Sequence, residues 1–132
     1  MIDIENEIFT GLAERLEAKF TKINIVGEEQ NAPAEFPTVS IVETDNFTSQ
    51  PYADSSEEAF VEVTYTINIY SNLGQAKKQE TKKILQEIDH FMLNKGFTRV
   101  GQQPITINNS TAYRLVVRYS GVVSDNKEIY RR

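Results

Sequence analysis

The sequence predicts an α+β fold with two layers: a mostly antiparallel β-sheet carrying two helices on one face, in the order α-β-β-β-α-β-β-β. Three observations predict it. Apolar residues recur at helical spacing in two separate stretches, one at the N-terminus and one in the middle. Apolar and polar residues alternate with period two elsewhere, most clearly over residues 59–70. Segments rich in Gly, Ser, Asn, Asp and Pro separate these patterns and supply the turns. The chain has 132 residues, 39% hydrophobic and 25% charged, which suits one globular domain over 1–132.

The first helix follows from Ile4, Ile8, Leu12, Leu16 and Phe20, four residues apart, with Phe9 and Ala13 widening the stripe. Asp3 is the expected cap, and Glu5 and Glu7 suit the positive end of the helix dipole. Gly11 costs this helix up to about 1 kcal/mol, which packing must offset. Ile23 to Val26 reads as a short strand and is followed by an irregular segment ending in AEFP. Residues 38–44, TVSIVET, read as a strand with Val39 and Ile41 on one face. The polar stretch DNFTSQPYADSSE then predicts a long loop over about 44–57, and residues 43–58 hold five acids and no base.

From Ala59 to Tyr70, Val61, Val63, Tyr65, Ile67 and Ile69 form one face of a strand, and Glu62, Thr64, Thr66 and Asn68 the other. SNLGQ breaks the chain. A second helix covers about Gln75 to Asn94, with Thr81, Ile84, Leu85, Ile88, Phe91 and Met92 facing inward, and Lys95-Gly96 ends it. Strands are expected at Thr98 to Gln102, Ile105 to Asn108 and Ala112 to Val123. A tight SDNK turn then lets Ile129 to Arg131 fold back as an edge strand.

Composition excludes several classes. There is no cysteine, so disulfides, thiolate zinc sites and cysteine nucleophiles are all absent. The apolar runs are too short for a membrane helix. The acidic, polar start MIDIENEIF lacks the pattern of a secretory signal, so a cytoplasmic start is expected. Charge is unevenly spread. Residues 1–58 carry 13 acids and 3 bases, a net −10, and residues 59–132 carry 6 acids and 11 bases, a net +5. Such a split points to a partner, to pairing within the chain, or to copies packed head to tail.

Catalytic chemistry finds little to stand on. His90 is the only histidine and sits on the second helix between Asp89 and Phe91, in the usual setting of a surface side chain. Glu43 with Asp45, or Glu57 with Glu58, have no desolvated setting that would make an acid–base pair. The acidic loop lacks the calcium-loop spacing, and NLGQ is a turn rather than a phosphate cradle. No enzyme activity, catalytic residue, cofactor or metal is expected. One basic cluster suggests an alternative. Lys77, Lys78, Lys82 and Lys83 open a helix that follows three strands and an earlier helix, an order that resembles the double-stranded RNA-binding domain. Against it stand the acidic first helix, the acidic loop and some 35 further residues of strand, since acids repel phosphate.

A second resemblance runs through residues 3–132. After the N-terminal helix come FPTVSIVETDN, a polar loop, EEAFVEVTYTINIYSN, the lysine-rich helix, KGFTRV, AYRLVVRYSGVV and a closing IYRR. This series resembles the bacteriophage tail-terminator, or head–tail joining, family, whose members are also labelled minor capsid proteins. The resemblance implies a structural virion protein of a phage or prophage, made in the bacterial host cytoplasm. It implies a homo-oligomeric ring, usually a hexamer in the virion and with room for a monomer in isolation, that caps the tail tube and meets the head connector protein. Neither a membrane nor nucleic acid is an expected partner. On this reading Arg114 and Arg118 meet a neighbour's acids, Glu57, Glu58 and Glu62. The alternative is that they pair with Glu62 inside the chain. Phe47 and Tyr52, aromatics in a polar stretch, are the expected contacts to the tube or to a ring neighbour, or else tuck onto their own domain.

Overall fold

Residues 5–19 wind into a helix because one side of them has a core to fill. Helix α1, Glu5–Lys19, buries Ile8, Leu12, Ala13 and Leu16. The Asp3 carboxylate accepts from the Glu5 N–H at 3.0 Å, satisfying one of the donors that a helix start leaves free. The computed structural model describes residues 2–29, 33–48, 60–105, 112–124, 127 and 129–130. After α1 come β1 (Asn24–Val26), β2 (Thr38–Thr48), β3 (Phe60–Ser71), one 3-10 turn (Gly74–Ala76), α2 (Lys77–Lys95), β4 (Thr98–Ile105), β5 (Tyr113–Ser124) and β6 (Ile129–Tyr130).

The strands form one sheet in the order β1-β2-β3-β5-β4, and β6 pairs with the far end of β5. β1 runs parallel to β2, and the other pairs are antiparallel. This is the predicted α+β arrangement in the predicted element order. The β3 pattern reads out as expected. Val61, Val63, Tyr65, Ile67 and Ile69 are at most 1% exposed on the face under the helices. Val39 and Ile41 of β2 and Leu115, Val117 and Tyr119 of β5 join them. Ile84, Leu85, Ile88 and Met92 of α2 close the layer from above. Burying each such aliphatic side chain contributes about 1.5–3 kcal/mol.

Two phenols reach the rim of this core. Tyr65 donates to Glu43 Oε1 at 3.1 Å, and Tyr119 to Asp89 Oδ1 at 2.9 Å. Burial first, and then those carboxylates, hold both hydroxyls far above the usual tyrosine range. Asp89 also accepts from Arg99 at 3.1 Å, tying α2 to β4. Arg15 of α1 meets Glu87 of α2 at 3.0 Å. Helix α2 ends at Gly96, whose φ of 107° is the left-handed stop predicted for it. Phe97 then turns inward and meets the Tyr65 ring edge-on, with centroids 5.5 Å apart. It fits because Gly121 is bare: a Cβ there would lie 2.7 Å from Phe97 Cδ1.

Two expectations are corrected. The polar stretch from residue 44 is not a loop throughout, because β2 continues to Thr48, paired residue by residue with β3. A bulge between Glu43 and Asp45 breaks the alternation, which is why the segment reads as irregular. Residues 49–57 of that expected loop lie outside the described residues. The expected strands Thr98 to Gln102 and Ile105 to Asn108 are one strand, β4, with a bulge between Arg99 and Gly101. Pro104 marks no break because β4 is a sheet edge, where a missing N–H is tolerated. Residues 106–108 lie outside the described residues. Among the described residues no helix is long and apolar enough to cross a membrane.

Candidate functional site: the open face of the sheet

The helices cover one face of the sheet, and the even-numbered residues of β3 and β5 point to the other. Register places Tyr70 opposite Arg114, Asn68 opposite Val116, Thr66 opposite Arg118 and Glu62 opposite Val122. One half of this face is closed. Thr38, Ser40, Asn68, Tyr70 and Val116 are at most 2% exposed. Glu29, from the connection after β1, reaches Arg114 in an ion pair. Arg114 Nε donates to Asn68 Oδ1 at 2.8 Å, and its guanidinium lies 5.4 Å from the Tyr70 ring centroid. An arginine stacked, forked and 12% exposed is held by its own chain.

The other half is open. A hollow of about 450 Å³ spans both halves of the face, with Thr44, Asp45, Thr66 and Arg118 on the open side and Asn68, Arg114 and Val116 on the closed one. Thr44 donates to the Thr64 carbonyl at 3.3 Å and lies 3.1 Å from the Thr66 hydroxyl. Arg118 is exposed, flanked by Thr66 on one strand and Gly101 on the other. It makes no ion pair among the described residues. Ser120 donates to Glu62 Oε1 at 3.4 Å. Beside Glu62, Phe47 stands on β2 with 53% of its surface in solvent. The face thus offers a free guanidinium, hydroxyls and one exposed ring, an assortment that suits a protein surface better than a small substrate.

The predicted site residues separate into groups. Phe47, Glu62, Arg114 and Arg118 share the open face. Tyr52, Glu57 and Glu58 lie outside the described residues. Arg114 pairs inside the chain, with Glu29 rather than the expected Glu62, which sits opposite Val122 at the other end of β3. The lysine cluster is on α2, on the helical side of the sheet. Lys77 is half-buried, Lys78 lies 5.9 Å from the Tyr113 centroid, and Lys82 and Lys83 are exposed. His90 is exposed. Sequence reasoning missed Glu29 and Asn68 as the residues that fix Arg114. Asn68 was legible as a residue of the polar face, but nothing in the irregular segment around Glu29 signals a partner 85 residues away.

Charge separation along the chain is partly closed within it. Glu29–Arg114 and Glu7–Lys127 each join the acidic half to the basic half. Glu43 is half-buried at the start of the β2 bulge. Burial raises its pKa, Glu5 and Asp3 add to the rise, and hydrogen bonds from Tyr65 and Asn46 oppose it. No trio of acids and histidine is placed to hold a metal ion among the described residues.

No family model matches the sequence, and no curated protein matches it. Twenty-four chains of solved structures match its fold. One of them, which carries only a sequence identifier for a name, aligns over 98% of this chain and 99% of its own with a TM-score of 0.54. At 8% identity that likeness concerns the fold alone.

Proposed function

We propose that this chain is a structural phage or prophage virion protein that forms a ring ending the tail tube and joining it to the head connector. The resemblance over residues 3–132 suggests the role, and the observation that carries it is the open half of the sheet face. There Phe47 is 53% exposed on β2 at the level of Glu62, and Arg118 is exposed two strands away on β5 at the level of Thr66, both on strands rather than on a loop. An exposed aromatic ring and an arginine are the side chains that most often anchor a protein interface. Strands hold them in place before contact, which lowers the entropy cost of docking. No observation on the α2 lysines favours a nucleic-acid reading.

The test first asks whether a gene flanking this chain's own encodes a tail-tube protein, and then uses that protein. Tube protein is polymerised with and without the purified chain, and tubes are measured by electron microscopy. Ring-shaped density at tube ends and a shorter, narrower length distribution are expected. Tubes of unchanged length with bare ends would reject the proposal.

A further inference from the structure

We infer that the two flanks of this molecule, the α2–β4 side and the α1–β1 side, meet each other in a head-to-tail contact between copies of the chain. The inference rests on the ring reading and says where its subunits join, away from the open face.

The two flanks are opposite sides of the same two layers. β1 and β4 are the ends of the sheet, with α2 packed over β3, β5 and β4 and α1 beside β1, where Phe9 approaches Gly27. Helix α2 spends its acids inside the chain and shows lysines, and the C-terminal half of α1 does the reverse. All three acids of α2 are engaged by their own chain. Glu80 accepts from Ser71, Glu87 from Arg15, and Asp89 from Arg99 and Tyr119. Of the lysines that α2 leaves exposed, Lys78 and Lys82 share the side of Asp89 and β4, whereas Lys83 lines a hollow with Phe20 toward α1 and Lys95 lies over the Phe91 ring. On α1 the pattern is reversed: Arg15 and Lys19 both reach Glu87, leaving Glu14 and Glu17 exposed. Glu28, just after β1, adds to that flank.

Apolar surface accompanies the charge on both sides. Leu93 of α2 is 43% exposed and Val100, at the β4 bulge, is 64% exposed. Across the molecule Ile23 and Ile25 are only partly covered by their own core. Strand direction is also compatible. β1 is parallel to β2, and each later neighbour in the sheet reverses, so β1 and β4 run in opposite directions. A neighbour's β4 beside β1 therefore pairs antiparallel, with the helices of both copies on the same side. Pro104 and the bulge at Val100 blunt indiscriminate strand addition, so charge on the flanks selects the partner. Because two different patches meet, each copy keeps one of each open, and the contact repeats until it closes.

The test is a charge exchange read by light scattering at low salt. One variant carries Glu17→Lys with Glu28→Lys, so both flanks are basic. The other carries Lys78→Glu with Lys82→Glu, so both are acidic. The unaltered chain is expected to gain mass with concentration and lose it with added salt. Each variant alone stays monomeric, and an equimolar mixture regains the mass. A second measurement uses the absence of native cysteine. Val100→Cys and Glu28→Cys chains, treated with a short bis-maleimide, give covalent dimers only when mixed. Circular dichroism confirms that every variant is folded. Variants that assemble like the unaltered chain would overturn the flank assignment and leave the ring reading standing. An unaltered chain that stays monomeric at low salt overturns the inference, and if tube lengths are also unchanged the ring reading falls separately. Crosslinking of one cysteine variant to itself would indicate a two-fold dimer and likewise overturn it.

Discussion

Phe97 occupies space that Gly121 vacates, and the arrangement was hidden in the sequence because nothing marks a strand glycine as the seat of a distant ring. Period two assigned each β5 residue to a face, but it could not say which one an aromatic 24 positions earlier would press upon. Adding one methyl tests it. Gly121→Ala brings a Cβ to 2.7 Å from a ring that is itself 2% exposed and pinned against Tyr65. A loss of about 1–3 kcal/mol is expected in urea unfolding, as for other overpacked cores. An unchanged midpoint would mean the ring has room to retreat. Arg114 and Arg118 carry the same lesson at the surface. Alternation placed both on the polar face, yet only the structure separates the arginine clamped by Glu29 and Asn68 from the one that makes no ion pair among the described residues.

The helices were legible because each buries a stripe that recurs with the helical period. Gly96 and the long alternation of β3 were legible for equally local reasons. Strand β2 was half legible. Its first part alternates, but the bulge at Thr44 interrupts the rhythm, and the polar residues beyond it resemble a loop until β3 is seen to pair with them. That junction has an electrostatic consequence where β2 meets the start of α1. The Glu43 N–H donates to Glu5 Oε2 at 3.2 Å, so two carboxylates crowd the same corner. Burial raises the pKa of Glu43, so the folded chain holds that proton more tightly than the unfolded chain does. Stability therefore falls as pH rises from the unfolded pKa through the folded one, and the whole cost is present above it. Glu43→Gln keeps an acceptor for Tyr65 and removes the charge. Urea midpoints are expected to be similar at about pH 4 and higher for the variant at about pH 7. A difference that does not change with pH would show that charge is not the cause.

At the scale of the molecule, the layers and element order were predicted from pattern alone, whereas the division of the open face into a closed and an open half was not. It depends on where an irregular connection lies, and irregular backbone carries no period to read. The functional reading assigns the open half to contact with the virion rather than to stability. Phe47→Ala combined with Arg118→Glu is accordingly expected to change unfolding by no more than about 0.5 kcal/mol, the range of ordinary surface changes. The same variant is expected to leave tubes uncapped. Loss of stability in step with loss of capping would assign the pair to folding instead. The single inserted residue at Thr44 decides what that surface displays. It shifts the phase of the strand, so Asn46, though exposed, turns to the side of Val63 and donates to the Ile2 carbonyl, and Phe47 turns to the open face. Without it the amide would lose the Ile2 carbonyl and the benzyl group would turn toward the start of α1. A relative one codon shorter at this point would show its would-be partners an inverted pattern, although every other residue matched.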